Sequence, residues 1–241
     1  MIKVILIDVD NTLLDFDACV KAALRDGFAH FGLPPYQEEM FPVFTAVNNA
    51  LWHRMELGEL TREELLAIRF DWIFEALGIC FDGVTFEEYF RRYLFDSTIH
   101  VEGAEALLQY LAGKYVVCAA SNGPYEQQVH RLKVSGLAPW LTHSFISEQV
   151  GAEKPSREFF DVCMKVLRTS DPTGTTAVGT DLSGLGPEEV MMIGDSLTAD
   201  MAGGIAYGMQ TCWYDRNGKG LPNNVPADHV VQSLAEICEI L

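Results

Sequence analysis

The chain has 241 residues, of which 49% are hydrophobic and 21% are charged. This balance is ordinary for a globular protein, and the length suits one large domain or a core with an inserted lobe. The net charge of -17 argues against a nucleic-acid polymer or an anionic membrane surface as the main partner. A small phosphorylated metabolite is compatible with this charge, provided that a metal ion and local donors offset it.

No segment approaches the length of a membrane span, and the first apolar run, residues 2–7, is too short for a secretory signal. The six cysteines are scattered and form no CxxC pair, which is typical of free thiols in a reducing compartment. We therefore expect a cytoplasmic protein with neither a disulfide framework nor a zinc site. A monomer and a homodimer both remain open.

The predicted elements begin with a strand over residues 2–7, whose continuous apolar run is typical of a strand buried on both faces. A helical block follows, with helices predicted over residues 18–31, 38–57, 62–77 and from 85 to near 95. Thr61 and Glu64 form a capping-box pattern at the start of the third of these helices. No strand is predicted within this block.

Helices and strands then alternate from residue 103 to residue 214. Helices are predicted over residues 103–111, 124–135, 158–167 and 199–207, and strands over residues 115–120, 144–147, 190–193 and 211–214. The alternation predicts an α/β fold with a doubly wound, Rossmann-like parallel sheet. Residues 1–15 and 97–241 are expected to form this core, and residues 16–96 an inserted α-helical lobe. The segment 169–187 has no periodicity and is expected to be a solvated loop, with a small β-hairpin as the alternative.

The most informative motif is the acid pair Asp8 and Asp10, directly after the first predicted strand. Two residues apart in an extended chain, the side chains lie on the same side of the backbone. Open α/β sheets bind ligands at the carboxyl ends of their strands. Two carboxylates this close repel each other unless a cation or a shared proton relieves them, so the pair indicates a metal site. The alternative is an ordinary turn in which one acid caps a helix.

A second polar motif follows the strand predicted over residues 115–120. Ser121, Asn122 and Gly123 come directly after it, and Pro124 suits the first position of a helix. The hydroxyl and the backbone amides of such a helix start can bind an anion. An ordinary junction between a strand and a helix is the alternative.

Two further motifs complete the set. Lys154, followed by Pro155, can neutralise a phosphate or a cluster of aspartates. Asp195 and Asp200 follow the strand predicted over residues 190–193, and hard oxygen ligands of this kind suit Mg²⁺. A surface lysine and a favourable charge at a helix start are the alternatives.

Together the motifs resemble those of the haloacid dehalogenase superfamily of phosphohydrolases. The matching residues are Asp8-Val9-Asp10-Asn11-Thr12, Ser121-Asn122, Lys154-Pro155 and Gly194-Asp195 through Asp200. The resemblance covers nearly the whole chain and implies that the helical lobe is the C1 cap inserted after the first motif. The segment between the third and fourth motifs is longer than this pattern leads one to expect.

The resemblance also implies a mechanism. Asp8 attacks phosphorus to form an aspartyl-phosphate, and Asp10 protonates the leaving oxygen and then activates water. Mg²⁺ is bound by Asp8, by the backbone carbonyl of Asp10 and by Asp195, with Asp200 closing or supporting the site. Lys154 orients Asp8 in addition to contacting phosphate. The expected phosphate-binding residues are Thr12, Ser121, Asn122, Gly123 and Lys154.

A narrower resemblance lies in the cap. Residues 49–52, 56–61 and 69–70 are similar to the pyrimidine 5'-nucleotidase branch, and the N-acylneuraminate-9-phosphatase group shares much of this frame. Arg69 is the candidate for a substrate contact there, with a surface salt bridge as the alternative. The expected function is therefore Mg²⁺-dependent hydrolysis of a small phosphorylated metabolite such as a pyrimidine nucleoside 5'-monophosphate.

Other functions are weighed against these residues. N-acylneuraminate-9-phosphate, phosphoglycolate and sugar phosphates are the alternative substrates. A phosphate-binding or aspartate-phosphorylated signalling domain is the alternative that involves no turnover. Asp10 argues against it, and also against a dehalogenase, because neither needs a proton-donating acid two residues after the nucleophile.

Overall fold

The computed structural model describes residues 1–169, 180–222 and 225–241. The described chain divides into two compact units, one comprising Met1–Asp15 with Thr98–Leu241 and the other comprising Phe16–Ser97. Most of the loop expected over residues 169–187 lies outside the described residues. No helix in the described ranges is long and apolar enough to cross a lipid bilayer.

The larger unit is built on a six-stranded sheet. Its strands are β1 Val4–Ile7, β2 Val116–Ser121, β3 His143–Ile146, β4 Val190–Gly194, β5 Gln210–Tyr214 and β6 His229–Val231. The strand order is β3-β2-β1-β4-β5-β6, and every neighbouring pair is parallel. The chain therefore winds outward from β1 in one direction and from β4 in the other, which confirms the expected doubly wound sheet. In such sheets the ligand crevice lies at the carboxyl ends of the strands where the winding direction switches, here β1 and β4.

Helices account for most of the remaining described chain. They are α1 Phe16–His30, α2 Met40–Glu56, α3 Arg62–Leu77, α4 Gly83–Phe95, α5 Ala104–Ala112, α6 Tyr125–Val134, α7 Ser147–Val150, α8 Arg157–Thr169, α9 Ala202–Tyr207 and α10 Leu234–Ile240. Two short 3₁₀ helices, Ala138–Trp140 and Pro187–Glu189, and a π-helical turn, Leu197–Met201, complete the set.

Both faces of the sheet are buried, which explains why its central strands are apolar at every position. Ile5 and Ile7 of β1 belong to the core on one face, whereas Val4 and Leu6 belong to the core on the other. Helices α5 and α10 contribute leucine and isoleucine side chains to the first core, and α8 contributes Phe159 and Phe160 to the second. Burial on both faces removes the polar alternation that marks a half-exposed strand.

The smaller unit contains α1 to α4 around a cluster of aromatic side chains. The ring of Phe86 has its centroid 4.7 Å from that of Phe70 and 5.6 Å from that of Phe28. Helix α3 begins with the expected capping box, because the hydroxyl of Thr61 accepts from the backbone N–H of Glu64 and the Glu64 carboxylate accepts from that of Thr61. The helix ends at Gly78, whose φ of 67° is left-handed.

The structure differs from the sequence-based expectations at a few places. The first strand begins at Val4, two residues later than expected, and Ser121 belongs to the end of β2. The helix expected over residues 199–207 is divided into the π-helical turn and α9. The short elements α7, β6 and α10 were not predicted.

Candidate active site

The predicted acids meet at the carboxyl ends of two adjacent strands. Asp8 follows β1 and Asp195 follows β4, and the N–H of Asp8 donates to the carbonyl of Ile193 at 2.9 Å. This bond continues the pairing of the two strands beyond their ends. The acid that follows each strand is therefore delivered to the same edge of the sheet.

Asp8, Asp195 and Asp200 form a group that could hold a metal ion. Each offers a carboxylate oxygen, and these oxygens all lie within 4.8 Å of one another. Asp8 and Asp200 are buried and Asp195 is half-buried. When all three carboxylates are ionised, they and one neighbouring lysine, described below, carry a net charge of −2, which a divalent cation cancels. Carboxylate oxygens are the ligands that Mg²⁺ prefers, so the donor set fits this ion.

The local backbone fixes the position of Asp200. Its Oδ2 accepts from the N–H of Ser196, the residue before the π-helical turn, at 3.0 Å. A Cβ atom at residue 194 would overlap the Asp200 carboxylate, so only glycine at that position leaves room for it. Trp213 holds the neighbouring loop, because its Nε1 donates to the carbonyl of Asp195 at 2.9 Å.

Lys154 lies between two of these acids and is 2% exposed. Its Nζ donates to Asp8 Oδ1 at 2.8 Å, to Asp200 Oδ1 at 2.6 Å and to the carbonyl of Ala120 at 2.6 Å. An ammonium group has three donors, and each has an acceptor here. Burial alone would lower the pKa of Lys154, but the attraction of Asp200 and Asp8 outweighs it and raises the pKa.

The surroundings of Asp8 shift the pKa of its carboxyl group. Burial raises its pKa to about 7; Asp200 adds to the shift, and Lys154 opposes it. A divalent cation beside Asp8 would also favour the ionised form. The hydroxyl of Thr12 donates to Asp8 Oδ2 at 3.3 Å, and its backbone N–H donates to the carbonyl of Val9. Thr12 therefore orients Asp8, while its direct contact with phosphate stays a prediction.

Asp10 has a different set of partners from Asp8. Its Oδ1 accepts from Arg131 Nη1 and its Oδ2 accepts from Gln128 Nε2, both at 2.6 Å. Neither partner was identified from the sequence. Their spacing could have indicated them, because residues 128 and 131 lie three apart and so share one face of the helix that starts directly after the second motif.

Asn11, the next residue along the chain, has a left-handed φ of 63°. Its side-chain oxygen accepts from Arg216 Nη1 at 2.6 Å, and Arg216 Nη2 donates to Asp15 at 3.0 Å. Arg216 was also missed by the sequence analysis. It ties the loop after β1 to the loop after β5.

The second and third motifs are joined by a pair of hydrogen bonds. Asn122 Nδ2 donates to the carbonyl of Lys154 at 2.8 Å, and Asn122 Oδ1 accepts from the N–H of Lys154 at 2.9 Å. The hydroxyl oxygen of Ser121 accepts from the N–H of Gly123 at 3.1 Å and from Gln128 Nε2 at 2.7 Å. The side chain of Asn122 therefore holds the backbone of Lys154, and Ser121 is connected to Asp10 through Gln128.

Arg69, the candidate in the helical unit, is 3% exposed. Its Nε and Nη2 donate to the two oxygens of Glu87 at 2.9 and 2.6 Å, and its Nη1 donates to Asn48 at 3.2 Å. The guanidinium also lies 4.9 Å from the ring centroid of Phe90. These contacts form a buried ion pair within α2, α3 and α4, where the sequence analysis considered a surface one. A contact between Arg69 and substrate stays a prediction.

The chain matches the family model of the haloacid dehalogenase-like hydrolases over residues 2–208. It is 31% identical over 240 residues to the putative HAD-hydrolase YfnB of Bacillus subtilis, covering 99% of this chain and 95% of that protein. The crystal structure of YfnB bound to magnesium superimposes with a TM-score of 0.85, covering 100% of this chain and 98% of the other.

Two further relatives carry a named activity. The pyrimidine 5'-nucleotidase PynA of Streptococcus pneumoniae is 35% identical over 214 residues, which cover 88% of this chain and 84% of PynA. The pyrimidine 5'-nucleotidase YjjG of Escherichia coli is 27% identical over 237 residues, which cover 98% of this chain and 96% of YjjG. The similarity therefore extends over both units of the chain.

Proposed function

The chain belongs to the haloacid dehalogenase-like hydrolases, and within this family we propose that it is a Mg²⁺-dependent phosphomonoester hydrolase. Its membership confirms the resemblance carried by the four motifs and the prediction of an enzyme. Because the family consists of hydrolases, we do not retain the alternative of a binding or signalling domain without turnover.

One observation carries the proposal: Asp8 is buried, contacts Lys154 and shares a metal-binding arrangement with Asp195 and Asp200. We assign Mg²⁺ to Asp8, Asp195 and the backbone carbonyl of Asp10, with Asp200 supporting or completing the set. When bound, the ion offsets the repulsion between the anionic Asp8 and a phosphate dianion. Lys154 holds Asp8 in place for attack.

The proposed reaction has two steps. In the first, an oxygen of Asp8 forms a bond to phosphorus while the bond to the leaving oxygen breaks, and Asp10 gives its proton to that oxygen. In the second, Asp10 takes a proton from water, the water oxygen bonds to phosphorus, and inorganic phosphate leaves Asp8. The cycle returns Asp8 as a carboxylate and Asp10 in its protonated form.

Ser121 is the best-placed donor for the transferring phosphate. Its hydroxyl oxygen already accepts two hydrogen bonds, from Gly123 and Gln128, and a hydroxyl has two acceptor sites and one hydrogen. The hydrogen is therefore available to donate to a phosphate oxygen. We assign the backbone amide of Asn122 to the same group. The N–H of Gly123 donates to Ser121 and the three donors of Lys154 have acceptors, so a phosphate contact from either residue stays a prediction.

We propose a pyrimidine nucleoside 5'-monophosphate as the substrate, because PynA and YjjG are both pyrimidine 5'-nucleotidases and match nearly the whole chain. Residues Phe16–Ser97 would then act as the cap that selects the nucleoside. The cellular compartment and the oligomeric state stay predictions.

The test is phosphate release from a panel of phosphomonoesters with Mg²⁺ and with EDTA. UMP, dUMP and dTMP are compared with AMP and GMP. AMP and GMP carry the same ribose 5'-phosphate as UMP and differ from it in the base alone. Phosphoglycolate, sugar phosphates and N-acylneuraminate-9-phosphate represent the alternatives. Preferred hydrolysis of the pyrimidine nucleotides supports the proposal. Activity without base preference retains the phosphatase and rejects the nucleotidase, and activity that survives EDTA rejects the metal.

A further inference from the structure

We infer that Gln128 and Arg131 are positioning residues that hold Asp10 in the orientation needed for proton transfer. The inference rests on the proposed function, because it deepens the role of Asp10 in that reaction. Both residues lie on α6, and neither belongs to the four motifs by which the chain was recognised.

Arg131 is fully buried, and its contacts do not suggest a role in stability. Nη1 donates to Asp10 Oδ1 at 2.6 Å and to Gln128 Oε1 at 3.0 Å. Within the described ranges, its Nε and Nη2 are buried without a hydrogen-bond partner. A buried guanidinium with unsatisfied donors is costly, and buried ion pairs are weak contributors to stability. The role that remains for Arg131 is therefore its contact with Asp10.

Gln128 joins Asp10 to the phosphate-binding motif. Its side-chain amide donates to Asp10 Oδ2 at 2.6 Å and to Ser121 Oγ at 2.7 Å, and the residue is fully buried. An amide nitrogen has two hydrogens, so each acceptor takes one of them. The Gln128 oxygen accepts from Arg131, which fixes the amide in the orientation that presents both hydrogens to these acceptors.

Gly123 provides an independent observation. A Cβ atom at this position would lie 2.5 Å from Gln128 Nε2 and 2.8 Å from its Cδ and Cγ atoms. The absence of a side chain at residue 123 therefore makes the space that the Gln128 amide occupies. The second motif and α6 are fitted to each other around this contact.

The consequence for Asp10 is that both of its oxygens are held. The side chain is 31% exposed, so without these donors water would take their place and the carboxyl group could rotate. Each carboxylate oxygen has more than one lone pair, so a held oxygen can still carry a proton. Proton transfer depends strongly on geometry, and a misplacement of about 1 Å can cost on the order of 100-fold in rate.

The test compares two substrates that differ in how much they need a proton donor. A nucleoside 5'-monophosphate expels an alkoxide and needs the proton, whereas dinitrophenyl phosphate expels a stable phenolate. The ratio kcat/KM covers all steps up to departure of this group. We expect Arg131→Lys to lower kcat/KM about 10–100-fold on the nucleotide and by less than about threefold on the aryl ester.

Further variants separate the roles. Asp10→Asn sets the reference pattern, with a larger selective loss on the nucleotide. Gln128→Met and Gly123→Ala are expected to show the same selectivity together with a smaller loss on both substrates, because Ser121 also loses its partner. Leu132→Ala is the matched control, since it removes a buried core contact from the same helix without touching Asp10. Its substrate ratio is expected to equal that of the wild type.

The outcomes distinguish the inference from the function on which it rests. Wild-type protein that hydrolyses neither ester overturns both. Wild-type activity with an equal loss on the two substrates in Arg131→Lys, as in Leu132→Ala, retains the phosphatase and rejects the positioning role. A faster nucleotide reaction in Arg131→Lys or Gln128→Met also rejects it, because these residues would then restrain Asp10.

Discussion

Replacing Lys154 by methionine is expected to destabilise the protein much more without Mg²⁺ than with it. The lysine Nζ is the shared donor for Asp8, Asp200 and the carbonyl of Ala120, and the side chain is 2% exposed. Methionine fills similar space but removes the charge and all three donors. Two acids at the base of the site are then left facing each other without compensation.

The size of the effect follows from these contacts. Breaking a buried ion pair by removing one partner costs about 3–5 kcal/mol. Asp8 can limit this loss by taking up a proton, because burial already raises its pKa to about 7, so we expect the lower end, about 3 kcal/mol. For a chain of this size, each kcal/mol shifts Tm by about 2–4 °C, so the expected decrease is about 6–12 °C in EDTA. Mg²⁺ binds a more negative site in the variant, so a saturating concentration should restore most of the lost Tm.

The assay is thermal unfolding of both proteins in EDTA and across a Mg²⁺ titration. Lys3→Met is the matched control, because it removes a partly exposed ion pair, Lys3 Nζ to Glu189 at 2.7 Å, from the same unit. Such a pair contributes less than about 1 kcal/mol, and its loss should not depend on Mg²⁺. Equal Tm values for Lys154→Met and the wild type in EDTA, or an equal rise with Mg²⁺, would refute the reasoning.

Three more predictions concern the same group of side chains. Asp8→Asn should abolish phosphate release while its circular dichroism spectrum stays that of the wild type; turnover near the wild-type rate would reject the assignment of Asp8 as the nucleophile. Asp195→Asn should raise the Mg²⁺ concentration for half-maximal activity by more than about tenfold, and an unchanged titration would exclude Asp195 as a ligand. Gly194→Ala should push Asp200 out of position and weaken Mg²⁺ binding about 10–100-fold in calorimetry, whereas unaltered affinity would show that the loop adapts.

The principal acids of the site could be predicted because each follows a strand. Asp8 and Asp195 come directly after apolar runs, and parallel strands present their carboxyl ends at one edge of the sheet. Lys154 could be predicted for a related reason, since the strand that precedes its loop belongs to the same sheet. The rule places residues by position along the chain and needs no knowledge of side-chain packing.

The partners of Asp10 could not be predicted in the same way. Gln128 and Arg131 are 118 and 121 residues away from it along the chain. Their contacts depend on how α6 is rotated against the sheet, which a helical pattern alone does not determine. The strand β6 was missed for a simpler reason, because its three residues, one of them buried, give no measurable period.

Arg69 is a residue whose main contacts could not be predicted from the sequence. An arginine in the lobe that was expected to select substrate is a reasonable candidate for a substrate contact. Its carboxylate partner, Glu87, lies 18 residues later on the next helix, and the pair closes only when α3 and α4 pack together. No pattern along the chain indicates that these two charged residues are buried as a pair.

The acid pair after β1 is divided by its partners. Asp8 has a side chain that is 12% exposed and is paired with Lys154, which also holds Asp200. Asp10 is 31% exposed and is paired with Arg131 and Gln128, which leave it within reach of water. A nucleophile has to be held against phosphorus, whereas a proton carrier has to reach both the leaving oxygen and the water that attacks in the second step. The separate partners give each acid the environment that its proposed step requires, although only one residue lies between them.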